Sequence, residues 1–111
     1  MKGENQQLIV LKRRSIDGFA NLIHLGHGGT FDFIYIDGGH TAPEVISEGC
    51  MAWELLKPGG VLVFDDYLFA MDQVFAFEMK PKFAIDTFAA LFNQKIRTIG
   101  VGMQYVIQKL A

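Results

Sequence analysis

Cysteine is almost absent: Cys50 is the only one among 111 residues. An internal disulfide is therefore impossible, and no cysteine-based zinc site can form. Set in the middle of a helical pattern, that lone thiol reads as a small buried hydrophobe. Long apolar runs are missing as well. None approaches the roughly 18 residues that span a bilayer, and the opening MKGENQQ has no apolar core of a secretion signal. Nor is there a basic excess, since the formal net charge of -2 gives no electrostatic footprint for nucleic acid. These absences give the expectation of a soluble, reducing, cytoplasmic protein with neither a membrane nor a nucleic-acid partner.

What the chain does contain is apolar. Half of its residues are hydrophobic and a fifth are charged, a globular balance, and its length suits one small domain over 1–111. Ten phenylalanines read first as a Phe-rich core, because large aromatics dominate burial. An exposed oligomer surface is the alternative.

Taken in order, Leu8 to Leu11 reads as a buried strand broken by Lys12-Arg13-Arg14. Ile16, Phe19, Ala20, Leu22 and Ile23 then recur at helical spacing, with Ser15 as N-cap and a stop by Gly26. The run His24-Leu-Gly-His27-Gly-Gly is not a nucleotide-cradling loop. Such a loop opens a helix, whereas this one is followed at once by a strand. It reads as a helix C-cap and connector, with His24 and His27 as solvated loop residues. Phe31 to Asp37 is apolar on both faces, the pattern of a central parallel strand covered on each side.

Thr41, Pro43 and Glu44 form a strong helix start with a capping box. The helix runs to Lys57-Pro-Gly-Gly60, and Val61 to Phe64 forms the next strand, completing a right-handed βαβ unit. Tyr67 to Phe77 has no clean period. Pro81 to Gln94 is helical by spacing, and Ile96 to Ile99 with Gln104 to Leu110 reads as an antiparallel hairpin joined through Gly100 to Met103. The expected order is β-α-β-α-β-α-β-β.

Two strand ends carry the chemistry: Asp37 and His40 follow one, Asp65 and Asp66 the other. Adjacent strands lie about 4.8 Å apart, so parallel neighbours bring these carboxylates together at the edge where open α/β sheets bind ligands. Clustered carboxylates repel, and either one stays protonated or a cation sits between them. Three carboxylates without cysteine suit a hard ion such as Mg2+. Next to such an ion a hydroxyl becomes more acidic, and His40 could take its proton. An Asp after a strand is also a common cap or turn residue; the four positions together point to a site.

FDFIYIDGGH, LLKPGGVLVFDDY, PKFAIDTF and the terminal QYVIQK resemble the C-terminal half of class I S-adenosylmethionine-dependent methyltransferases. The resemblance covers roughly residues 8 to 110 and is strongest to metal-dependent O-methyltransferases of the macrocin and mycinamicin type, with the catechol and caffeoyl-CoA enzymes more distant. It implies that Asp37, Asp65 and Asp66 ligate Mg2+ and that His40 is the general base. The family's glycine-rich loop after the first strand and acidic residue after the second have no counterpart here, because Leu8 to Leu11 matches the third strand. Arg13-Arg14 stand where many relatives carry a small acidic pair. Ser15 and Asp37 are left as the positions that the resemblance places beside the methyl donor.

The expected fold is thus a truncated Rossmann-like α/β methyltransferase sheet, with parallel strands, a C-terminal antiparallel hairpin and no first two strands. Its open edge invites a second copy of the chain, giving a homodimer. The implied function is methyl transfer from S-adenosylmethionine to the hydroxyl of a small-molecule acceptor with help from Mg2+. The alternative is a non-catalytic remnant or assembly module without the donor site. A Mg2+-dependent hydrolase is a weaker third reading, since no nucleophile or phosphate loop accompanies the carboxylates.

Overall fold

A computed structural model describes residues 8–12, 15–37, 41–69, 71 and 80–110, with side chains from residue 16 onward. Five strands and three helices follow in the order β1 (Leu8–Lys12), α1 (Ser15–His24), β2 (Phe31–Asp37), α2 (Ala42–Leu55), β3 (Leu56–Phe64), α3 (Pro81–Leu91), β4 (Ile96–Val101) and β5 (Tyr105–Lys109). One short 3-10 turn, Asn93–Lys95, precedes β4. The strands form one sheet in the order β1-β2-β3-β5-β4. β1, β2 and β3 run parallel, and β5 lies antiparallel to both β3 and β4. The expected truncated Rossmann-like sheet with a C-terminal hairpin is what the chain forms.

Local signals explain most element ends. Gly26 and Gly29 take φ of +88° and +69°, a region open to glycine without Cβ strain, and α1 stops before them. At the start of α2 the Thr41 hydroxyl donates to Glu44 Oε1 at 2.9 Å and accepts from the Glu44 backbone N–H at 3.4 Å, a variant of the expected capping box. The helix ends at Leu55, two residues before Lys57, because the residue preceding a proline is pushed out of the α region. Lys57 to Gly60 is then part of β3 and not a separate turn. It forms an irregularity between the pairs Phe31–Leu56 and Phe33–Val61. In the hairpin, β4 continues through an irregularity between Thr98 and Gly100 to Val101, so the connection is Gly102 to Gln104 and lies later than the sequence suggested.

Two expectations about burial need correction. Cys50 is exposed, because it falls on the outward face of α2, while Gly49, Ala52 and Trp53 face inward. The face of β2 that holds Phe33 and Tyr35 is not covered by a helix among the described residues, and Phe33 is 36% exposed. The cause is topological. β1, β2 and β3 are neighbours in sequence order, and successive right-handed crossovers in one direction put their helices on the same face. α1 packs on α2 and α2 on α3, so no helix among the described residues lies on the second face, although Val63, the partner of Tyr35, is buried there. Strand order adds a further point, that β2 is not an edge strand. In the doubly wound order 3-2-1-4 a third strand is separated from the fourth by two others, but here Leu8 to Lys12 pairs directly with Phe33 to Asp37. Among the described residues the edge strands are β1 and β4.

The covered face holds the core. Ile34, Leu62 and Ile107 are fully buried there with Phe64 and Phe88. Phe88 meets Phe64 edge-on at 5.2 Å between ring centroids, and Phe92 lies 4.3 Å from Trp53. Helix α2 comes so close that a Cβ on Gly49 would stand 3.0 Å from Phe64 Cζ. The expected Phe-rich core is present in Phe19, Phe31, Phe64 and Phe88, while Phe33 and Phe69 are exposed.

Candidate functional site

Parallel pairing of β2 with β3 carries the register Ile36–Phe64 to the strand ends, and the Asp65 N–H donates to the Ile36 carbonyl at 3.0 Å. Asp37 and Asp65 therefore end side by side. Asp66 follows with φ of 58°, the one non-glycine residue at positive φ among those described. Asp tolerates this left-handed region better than most residues, and the turn brings its carboxylate back toward the other two. One oxygen from each of Asp37, Asp65 and Asp66 lies within 4.8 Å of the others, and all three residues are half-buried.

Neighbouring side chains hold this turn. The Gln104 amide donates to Asp65 Oδ1 at 3.4 Å and to the Tyr35 hydroxyl at 3.1 Å. Burial pushes the Tyr35 hydroxyl above its ordinary pKa, and its hydrogen bond to Asp65 adds to the rise. Tyr67 is buried. Its N–H donates to the Met103 carbonyl at 2.8 Å, its hydroxyl donates to Asp86 Oδ1 at 2.5 Å, and its ring meets Tyr105 edge-on at 5.0 Å. Lys82 completes the set with a 2.6 Å ion pair to Asp86. An open apolar groove of about 700 Å³ lies between α2 and α3, lined by Ala42, Ile46 and Ala84 among others, with Asp86 at its wall.

The donor set fits a hard divalent cation. It is all oxygen, from three carboxyl groups, and two oxygens opposite each other on one Mg2+ stand about 4.2 Å apart. A small rotation of half-buried carboxylates covers the difference from 4.8 Å. Of the other residues singled out from sequence, Ser15 opens α1 just beyond Lys12, which pairs with Asp37, so its backbone lies at the same edge; its side chain lies outside the described residues. His40, Arg13 and Arg14 lie wholly outside them, as does most of the segment after Tyr67. Tyr35, Gln104, Tyr67 and Asp86 were not singled out. Their contacts depend on strand register and helix packing, which no local motif encodes.

A family model described as a methyltransferase domain matches residues 3–67, ending at the turn just described. The chain belongs to this methyltransferase family. No curated protein matches it. Among solved structures, this methyltransferase chain is similar to the MycE methyltransferase from the mycinamycin biosynthetic pathway, a structure in complex with Mg, SAH and mycinamycin VI. That match has 17% identity and a TM-score of 0.63, over 92% of this chain and 31% of the other. A crystal structure of a protein from Corynebacterium glutamicum matches at 19% identity and a TM-score of 0.57, over 88% of this chain and 45% of the other. These likenesses establish the class I fold. The chain spans less than half the length of either structure.

Proposed function

We propose that this chain is the metal- and acceptor-binding half of an S-adenosylmethionine-dependent O-methyltransferase. The convergence of Asp37, Asp65 and Asp66 within 4.8 Å at the ligand edge, in a chain of methyltransferase family, carries the reading. The three carboxylates would hold Mg2+, which would supply Lewis-acid polarisation of an acceptor hydroxyl. His40, three residues beyond Asp37, takes the hydroxyl proton. The acceptor oxygen attacks the methyl carbon of the sulfonium donor as the carbon–sulfur bond breaks, and S-adenosylhomocysteine leaves as a neutral thioether. Ser15 and Asp37 stand on the donor side of the edge.

Titration calorimetry with Mg2+ and with S-adenosylmethionine tests this. Mg2+ binds the wild-type chain and is lost in the Asp65→Asn, Asp66→Asn double variant; unchanged affinity in that variant refutes the ligand assignment.

A second reading, a non-catalytic remnant or assembly module that keeps the metal, is favoured by one observation: one face of its sheet has no helix among the described residues. Metal binding without donor binding at about millimolar concentration selects this second reading.

A further inference from the structure

Antiparallel register decides what stands beside Asp65. Phe64 pairs with Tyr105, so the residue after Phe64 comes opposite the residue before Tyr105, which is Gln104. The Gln104 amide nitrogen reaches both Asp65 Oδ1 and the Tyr35 hydroxyl, at 3.4 and 3.1 Å. Tyr35 lies two residues before Asp37 on β2, so the one Gln104 amide ties the Asp65 carboxylate at the end of β3 to the Tyr35 hydroxyl of β2 and holds both from the hairpin tip. The tip is braced in turn, since Gly102 N–H donates to the Gln104 carbonyl and Tyr67 N–H to the Met103 carbonyl, both at 2.8 Å. Gln104 is exposed. Packing does not require an amide there, but orienting a carboxylate does.

We propose that Gln104, together with Tyr35, is the positioning residue of Asp65, fixing the rotation of its carboxylate within the three-acid cluster. The proposal rests on the reading of that cluster as a divalent-cation site. A ligating carboxylate needs its outer hydrogen bonds to hold its direction, and losing such a partner typically weakens metal affinity 10–100-fold. The bond from Gln104 is long, so the lower end of that range applies.

The test uses Mn2+ as the probe, with free and bound ion read by electron paramagnetic resonance on the full chain. Asp65→Asn abolishes binding. Gln104→Leu weakens it about tenfold and changes the bound-ion line shape, while its urea midpoint stays at the wild-type value. Tyr35→Phe shifts affinity the same way by a smaller factor. If Asp65→Asn abolishes binding but Gln104→Leu keeps wild-type affinity and line shape, the positioning role is overturned and the metal site stands. A wild-type chain that binds no Mn2+ overturns both. Lys109→Met, a destabilising change remote from the edge, is the control: a Gln104→Leu loss no greater than that of Lys109→Met also overturns the proposal.

Discussion

Tyr67 shows how much one residue can fasten. It is buried, directly follows the left-handed Asp66, and is tied by its N–H to the hairpin tip and by its hydroxyl to α3. Tyr67→Phe removes only the hydroxyl and leaves ring packing intact. A hydrogen bond to a charged partner is worth about 1.5–3 kcal/mol, but Asp86 and Lys82 are 40% and 31% exposed, so solvent screening reduces it. A loss of about 1 kcal/mol is expected from urea unfolding. The acidic residues were legible because each ends an apolar run followed by a turn. Gln104 and Tyr35 were not, because a glutamine in a hairpin connection and a tyrosine within a strand carry no local mark of what lies across the sheet.

At the scale of elements, the capping box, the Pro81 helix start and the glycine stop of α1 were all readable, since each is a matter of a few adjacent residues. The end of α2 was read two residues late, and its closure comes from far away. The Lys109 ammonium on β5 donates to the carbonyls of Trp53 and Leu56 at 3.0 and 2.8 Å and lies 4.5 Å from the centre of the Trp53 ring. A cation is well placed at the carbonyl end of a helix. Lys109→Met should cost about 1–3 kcal/mol by leaving those carbonyls without their donor. Burial, the largest influence, lowers the Lys109 pKa from 10.5, with Lys95 adding to the fall and Glu54 opposing it. The unfolded chain therefore holds this proton to higher pH than the folded one, and stability gains from this group as pH rises from the folded pKa toward 10.5. That rise should be missing from the alkaline unfolding profile of Lys109→Met.

For the whole molecule, the strand types were legible and the strand order was not. Periodicity reports that Phe31 to Asp37 is apolar on both faces, but it does not say which neighbours cover them. Placing β1 directly against β2 follows from long-range pairing, and with it go the helices on one face and β1 as an edge strand among the described residues. That edge supports the proposal that two copies pair through it. Sedimentation should show a dimer whose population grows with concentration, and a monomer at every concentration removes the idea. The close approach of α2 to the sheet also bears on what the protein will accept at that contact. A Cβ at Gly49 would stand 3.0 to 3.2 Å from Phe64 and Phe88, tighter than a packed interior takes without movement. Gly49→Ala should therefore cost about 1–3 kcal/mol by overpacking, although alanine is the better helix former, and an unchanged urea midpoint removes the idea.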